Sequence, residues 1–577
     1  MKLLLILSIN YHGRLFNMQA LPIVHEQRRI EWQAPLPLRA IKPVVVFDMA
    51  FREDYDHRRV PIVSGAAQSL AGVLSESNIA TPLFMDKPFF QGGSFDLTQG
   101  IDRKRPLVFL LSVYDFLLDD IFNEVNEIRK RHPEAIIILG GSSVNTAEDL
   151  TTFKSLFPEV DAVVKGDGEK PLLQILSSLK DGKIDINHLW EIGAKGMHAT
   201  VGDRMYLDNR VNVLSSEELN ALPKLTAYSE LIRDINERKA LVLNTSRSCK
   251  YRCVFCSHKY HDHPIFWTAE RIIEELRHVK KLIKQGELPE EARTITFNDD
   301  DFFLNRARSH KFLSLVAEDP ELRNYFRFNF ASSIGSFLVK GNVNSKLLYQ
   351  LSQINVESIH FGTDGFSDIM IRLLGKSGYD WQQAKAVIAA VSAIGIKQKH
   401  YGILSHHRMN YHMFSENLGN LVEVMANTPR MKITITFSLI AFEGTKLMVE
   451  ALRLFPDRVG TVKNIPGRII KYLPFDVPLS CDSSLNETIA EALRRPFRTV
   501  EELEEGLRTI EEQETDDDYS KRLLKDLILW RSRQPKDYSV REAINCHARA
   551  VSLMALQDFY NATRREENMA VSASASG

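Results

Sequence analysis

Short apolar runs and helical stretches alternate along the first third of the chain. Residues 43–48 (PVVVFD) form a β-branched run of the kind that fills a strand buried on both faces. Residues 64–75 (SGAAQSLAGVLS) carry helical spacing, and 81–86 (TPLFMD) and 107–114 (LVFLLSVY) read as a second and a third strand. Residues 118–132 predict an amphipathic helix that ends on basic side chains, as the helix dipole favours. Two more strands follow: 135–139 (AIIIL), stopped by Gly140-Gly141, and 161–165 (DAVVK), stopped by Gly166-Asp167-Gly168. This alternation predicts an α/β fold, a Rossmann-like doubly wound parallel sheet.

The pattern lapses over 186–235, which reads as a crossing linker, and restarts at 240–244. Further strands are expected at 294–298, 327–331, 358–362, 397–403 and 432–440, with helical stretches between most of them. Six βα-like units predict a partial or full (β/α) barrel, a fold whose sites lie at the C-terminal strand ends. Beyond about residue 480 the chain is polar and helical. Its acidic runs, 501–505 and 511–518, read as solvated helix faces, and the final VSASASG as a disordered tail. The expected division is an N-terminal extension at 1–40, a sheet domain at 41–185, the linker at 186–235, a barrel at 236–450 and a mostly helical C-terminal region at 451–577. The opening run MKLLLILSI is very short and no small-residue cleavage site follows it, so it reads as a buried strand. No stretch reaches the roughly 18 uninterrupted apolar residues of a membrane span.

Composition changes this picture little. The chain is 44% hydrophobic and 25% charged, and its net charge of −1 offers no electrostatic attraction to nucleic acid or an anionic membrane. Cysteine usage changes it more. Five cysteines in 577 residues are no disulfide framework, yet Cys249, Cys253 and Cys256 fall within eight residues just after a strand. That clustering points to metal binding in a reducing cytoplasm. Three thiolates converging at a strand end can hold three irons of a cubane and leave the fourth iron open for chemistry. The competing reading is structural zinc, completed by His258, His261 or His263.

The run Cys249-Lys-Tyr-Arg-Cys253-Val-Phe-Cys256 resembles the Cys-x3-Cys-x-aromatic-Cys signature of radical S-adenosylmethionine (SAM) enzymes, with Phe255 as the aromatic residue. The lead-in Asn244-Thr-Ser-Arg-Ser-Cys249 is similar to the family's, with Ser248 where a glycine is common. The segment from Phe297 to Arg308 resembles the family's Phe-x-Asp-Asp-x-Phe stretch, which implies Asp299 and Asp300 as acceptors for the methionine ammonium of SAM. His360-Phe-Gly-Thr-Asp364 resembles the Gly-x-Glu-Ser stretch and implies a SAM contact for Asp364. Ala441-Phe-Glu-Gly-Thr445 is similar to the Pro-x-Gly-Thr turn without its proline. The Gly-x-Pro-Gly stretch is missing, and Leu404-Ser-His-His-Arg-Met409 stands in its place.

Residues 43–180 resemble the cobalamin-binding domain that precedes many radical SAM barrels. Leu111-Ser-Val-Tyr114, Leu139-Gly-Gly141 and Val164-Lys-Gly-Asp-Gly-Glu169 match its strand ends in order. Ser112, Tyr114, Gly140, Gly141 and Gly166 are therefore the candidate cofactor contacts, since strand-end glycines let a large planar ligand reach the backbone. The domain has no Asp-x-His-x-x-Gly motif, and Asp56-His57 has the wrong spacing, so no histidine is expected on cobalt.

The resemblance implies a [4Fe–4S] cluster, SAM and cobalamin as cofactors, and a 5′-deoxyadenosyl radical that takes hydrogen from an unactivated carbon. The first expectation is C-methylation of a peptide or natural-product intermediate. The alternative is a peptide epimerase or maturase, in which Cys481 or Cys546 supplies the returning hydrogen; Cys481, just past the barrel, is preferred. A more distant reading is a cobalamin- or iron-sensing regulator. The expected partners are an electron donor such as flavodoxin or ferredoxin and a small-molecule or peptide substrate. Nucleic acid and membrane are not expected, and the expected location is the cytoplasm.

Overall fold

The computed structural model describes residues 43–454 apart from 48–49, 54–58, 63–64, 86–104, 114–117, 148, 258–262, 404–405, 407, 409–410, 429–430 and 437–443. The opening apolar run, Tyr114, His258, His261, Cys481, Cys546 and the acidic runs beyond residue 500 lie outside the described residues.

Five strands build the first parallel sheet: β1 (Val44–Phe47), β2 (Thr81–Phe84), β3 (Leu107–Ser112), β4 (Ile136–Gly140) and β5 (Ala162–Val164). Their spatial order is β2-β1-β3-β4-β5. Helices α1 (Gly65–Ser77), α2 (Leu118–Arg131) and α3 (Glu169–Ser177) lie on the connections. The chain reverses its direction of travel between β1 and β3. Open α/β sheets bind ligands in the crevice at such a switch point, outside the carboxyl ends of the strands.

The stretch expected to be a linker departs from that reading. Within it, β6 (Met197–Val201) pairs antiparallel with β5, and β7 (Arg204–Asp208) with β6. These five-residue strands bury only Met197, His198 and Ala199 on one and Tyr206 on the other. So short a pattern is weak in sequence. The partner strand β5 makes it a sheet edge.

The second sheet has six parallel strands in chain order. The first is β8 (Leu241–Leu243). A small ribbon then departs, β9 (Ser246–Arg247) paired with β10 (Ile265–Phe266), and the cysteine loop lies between its two strands. The sheet resumes with β11 (Thr294–Phe297), β12 (Arg327–Ser332), β13 (Val356–Asp364), β14 (Lys397–Ile403) and β15 (Met431–Thr436). Helices α4 (Ala269–Lys284), α5 (Arg306–Glu318), α6 (Asp368–Leu373), α7 (Trp381–Ala393), α8 (Tyr411–Asn427) and α9 (Lys446–Leu454) accompany it. Among the described residues the sheet is open, so of the two expected forms it is a partial barrel.

Period-two alternation sorts the side chains of this sheet. Phe297, Phe328, Phe330 and Phe361 are fully buried on one face, with Phe297 and Phe330 stacked at 5.3 Å between centroids. The other face carries half-buried polar residues. There Asn329 Nδ2 donates to Thr296 Oγ1 at 3.2 Å, and the Ser358 hydroxyl donates to Asn329 Oδ1 at 2.6 Å. The two sheets share a core: Val45, Phe47 and Ile138 of the first are continuous with Leu241, Leu243 and Phe297 of the second. Among the described residues no helix is long and apolar enough to cross a membrane.

Candidate functional site

Cys249, Cys253 and Cys256 follow the ribbon strand β9, at the C-terminal end of β8, as the barrel reading requires. Among the described residues none of the three is in a disulfide, and all are half-buried. Three backbone bonds shape their loop. Val254 N–H donates to Leu374 O at 3.0 Å, Leu447 N–H donates to Val254 O at 3.0 Å, and Cys256 N–H donates to Cys253 O at 3.3 Å. Gly375 holds the loop from below. A Cβ there would stand 2.9 Å from Val254 Cγ1 and 3.3 Å from Val254 N, and its φ is +67°. Phe255 packs half-buried against the core.

The surroundings of the Cys249 thiol are acidic and partly desolvated. Burial pushes the Cys249 thiol up to about 12, and the nearby charges of Asp300 and Asp301 and the Cys253 thiol add to this, against the Tyr251 backbone N–H. A thiolate here needs a cation, and coordination to iron supplies one. Among the described residues no three His, Cys, Asp or Glu side chains are gathered closely enough to ligate one ion. The loop therefore brings its thiols to one strand end without closing them into a cage. The donor set itself fits an iron–sulfur cluster, with three cysteines on one loop and, among the described residues, no disulfide. Of the zinc candidates, His263 is exposed.

The three aspartates after β11 divide their work by alternation. Asp299 is buried, and its carboxylate accepts the Thr245 N–H, the Thr245 hydroxyl at 2.6 Å and Arg308 Nη2 at 3.0 Å. It thus ties the end of β8 to the end of β11. Asp300 is exposed, and its charge is felt at Cys249. Asp301 is buried and accepts hydroxyl bonds from Ser332 at 2.7 Å and Ser336 at 2.6 Å, and the Phe303 N–H at 3.2 Å. Burial pushes its carboxyl up to about 6 despite these bonds. Asp301 had no role in the sequence reading. The signal was present, because Phe297, Asp299 and Asp301 continue the buried parity of the strand.

Asp364 ends β13 in the left-handed region, φ +57°, where the register to β14 shifts. It is ion-paired with Lys376, whose ammonium also donates to Gly362 O at 2.6 Å. For Lys376 burial lowers the pKa, yet the charges of Asp364, Tyr379 and Cys253 together hold it above its ordinary value. Tyr379 donates its hydroxyl to Thr363 O at 3.0 Å. Lys376 and Tyr379 therefore face the thiol side of the sheet, which sequence reading left unassigned. His360, half-buried one row deeper on the inner face, is pushed down to about 4 by burial and by Lys399, and so is neutral.

In the first sheet the strand-end residues do different jobs. Gly141 has φ +106°, and a Cβ there would lie 2.7 Å from Val113 N and 2.8 Å from Val113 O. Gly166 has φ +98°, and a Cβ would lie 1.9 Å from Asn212 O. Both glycines are required by neighbouring backbone. Gly140 is open, with only Val164 O at 3.8 Å. Ser112 stands beside it at the end of β3, half-buried, at the switch-point crevice. A small side chain thus has room at Gly140, beside the Ser112 hydroxyl.

A thiol loop at the strand ends of one parallel sheet, sharing a core with a doubly wound sheet that has a switch-point crevice, defines an α/β protein with two parallel sheets. More particularly, it carries a radical SAM domain: the profile described as the Radical SAM superfamily matches residues 243–419. The cofactors of that domain class are a [4Fe–4S] cluster and SAM. An uncharacterised methyltransferase of Pyrococcus horikoshii is 23% identical over 308 residues, which is 51% of this chain and 60% of that protein. The chain thus matches less than two thirds of that relative's length. Among solved structures, the cobalamin-dependent SAM radical enzyme OxsB with aqua-cobalamin bound aligns at TM-score 0.58 with 16% identity, covering 85% of this chain and 71% of that one. The radical SAM methyltransferase TsrM from Kitasatospora setae, with tryptophan substrate and a SAM analogue, aligns at 0.55 with 14% identity, covering 72% and 76%. The fold is therefore that of a radical SAM protein with a cobalamin-binding-like domain in front of the barrel.

Proposed function

We propose that this chain is a radical SAM enzyme that methylates an unactivated carbon of a peptide or natural-product intermediate with the help of cobalamin. The observation that carries the reading is the packing of the two strand-end regions against each other. The Gly166–Glu169 loop of the first sheet touches the strand that leads into Cys249, through Arg247 and Glu169 at 3.2 Å. Bound there, the cluster with SAM supplies a radical that abstracts hydrogen, and cobalamin supplies the methyl group.

The chain's own residues prepare that chemistry. Cys249, Cys253 and Cys256 ligate the cluster. Asp300, exposed beside Cys249, accepts the ammonium of SAM, because both oxygens of Asp299 are already engaged. Lys376 neutralises Asp364 next to Cys253, so that carboxylate does not oppose the thiolates. Gly140 and Ser112 receive cobalamin at the crevice. The packing of Phe255 and the bond from Leu447 of α9 to Val254 O hold the thiol loop in place.

The test is anaerobic reconstitution with assays of iron, cobalamin and SAM cleavage on one sample. About four irons and four sulfides per chain are expected. Replacing the three cysteines together by alanine abolishes both cluster and 5′-deoxyadenosine. Stoichiometric zinc without SAM cleavage overturns the radical reading. A product with no added mass, carrying one deuterium after turnover in D₂O, overturns methylation in favour of epimerisation.

A further inference from the structure

At the boundary between the two sheets lies a buried ion cluster of Arg247, Asp167 and Glu169. Arg247 is the second residue of β9 and stands two residues before Cys249. Its Nη2 donates to Glu169 Oε1 at 3.2 Å, and its Nε lies 3.5 Å from Asp167 Oδ1. The side chains of Arg247, Asp167 and Glu169 are only 13%, 2% and 3% exposed.

Both carboxylates are themselves held. Asp167 Oδ2 accepts the Leu214 N–H at 2.8 Å, and the Asp167 carbonyl accepts Asn212 Nδ2 at 2.6 Å. Glu169 Oε1 also accepts the Ser69 hydroxyl of α1 at 2.5 Å. Near the cluster the Asn244 side chain lies against the Gly65 backbone, since a Cβ on Gly65 would stand 1.6 Å from Asn244 Nδ2. Arg247 therefore meets a stiff acceptor pair, not a mobile surface.

Apolar side chains could fill this boundary at least as stably, because desolvating three charges offsets most of their attraction. What the ions add is direction. A guanidinium is a rigid planar fork, and two fixed carboxylates allow it a narrow range of positions. Two residues further on, that position is inherited by the first thiol of the cysteine loop. On the other side it is inherited by the Gly166–Glu169 loop at the end of β5.

We propose that Arg247 is a positioning residue that fixes the separation between the cysteine loop and the strand-end crevice of the first sheet, and so holds the two cofactor sites in register. The proposal rests on the function proposed above for the presence of a second cofactor. Misplacement of reacting groups by about 1 Å can cost on the order of a hundredfold in rate, so such a clamp matters to any transfer between the sites.

The experiment compares Arg247→Met, Arg247→Lys and the charge-free triple variant Arg247→Met/Asp167→Asn/Glu169→Gln with the wild type. Full-length protein is reconstituted with iron and sulfide, loaded with hydroxocobalamin and reduced. Electron paramagnetic resonance then reads the spin–spin interaction between the two paramagnetic cofactors. The wild type is expected to give one narrow distance. Arg247→Met and the triple variant keep their iron but give a shifted or broadened distance, and Arg247→Lys restores it in part. An unchanged distance in the triple variant, which leaves no buried charge unpaired and so tests the clamp even if Arg247→Met fails to fold, overturns the proposal. If the wild type retains no cobalamin, the cobalamin reading fails by itself. The clamp is then read by amide hydrogen exchange of the iron-loaded protein. Exchange across 246–257 about tenfold faster in the triple variant, with the core of the second sheet unchanged, supports it. Equal exchange overturns it.

Discussion

Asp299 accepts both the backbone N–H and the hydroxyl of Thr245, and so ties the end of β11 to the second residue of the cysteine lead-in. Arg308, also buried, completes the set at 3.0 Å from the same carboxylate. Asp299→Ala leaves that guanidinium buried without its partner, which costs about 3–5 kcal/mol. Chemical denaturation of the iron-free protein is expected to show this loss. Asp300→Asn, on the exposed neighbour, is expected to stay within about 0.5 kcal/mol of wild type and to weaken SAM binding instead. The reverse result in calorimetry and SAM titration would exchange the roles of the two residues.

Ser248 immediately precedes the first cysteine with φ +63°, and its buried hydroxyl has no hydrogen-bond partner. The left-handed backbone and the unsatisfied hydroxyl are both penalties that glycine removes. Ser248→Gly is expected to raise stability by about 1 kcal/mol, read as a higher Tm. Ser248→Val should lower it, because β-branching aggravates the same conformation. A less stable glycine variant would refute this account.

The strand-end glycines of the first sheet are not equivalent targets. Gly166→Ala places a methyl 1.9 Å from Asn212 O, and Gly141→Ala places one 2.7 Å from Val113 N. Each is expected to lose more than about 2 kcal/mol with no ligand present. Gly140→Ala meets only Val164 O at 3.8 Å and should fold as the wild type does. Gly140→Trp is therefore the variant that reports on cobalamin: it should keep the iron cluster and lose cobalamin retention. Normal retention by that variant would move the cofactor away from the crevice.

Asp301 gives the protein a pH signature. Its folded carboxyl sits near 6, against 3.8 for the free group, because burial outweighs the bonds from Ser336 and Ser332. Between those values the folded state holds a proton that the unfolded state has released, so stability falls as pH rises. The stabilising share is complete below about pH 4 and is lost on passing pH 6, a change of about 3 kcal/mol at 1.36 kcal/mol per unit. Denaturation of the iron-free protein across pH 4–7 should show this decline, and Asp301→Asn should flatten it. An unaltered slope in that variant assigns the titration to another group.

Much of this architecture is legible in the chain because local signals and tertiary structure agree. The runs at 43–48, 107–114 and 135–139 are apolar on both parities, and both faces of β1, β3 and β4 are in fact covered. The spacing of Cys249, Cys253 and Cys256 is a local fact, so the thiol loop survives into the structure at the expected strand end. The six-strand order of the second sheet follows from βα repetition, which places each strand beside its predecessor.

Other features were decided only by residues distant in sequence. The hairpin at 197–208 is a sheet edge because β5 is there to pair with it, and two five-residue strands are too short to announce that in sequence. Gly141 and Gly166 look like ligand-binding glycines in sequence, but Val113 and Asn212 crowd them. Asp299, Asp300 and Asp301 are chemically identical neighbours. Burial and partners, supplied by Thr245, Arg308, Ser332 and Ser336, give each a different charge environment. The amino-acid order determined which elements form and which thiols share a loop, since both depend on spacing along the chain. Which carboxylate is exposed, which glycine is open and which arginine joins the two sheets depended on contacts across it.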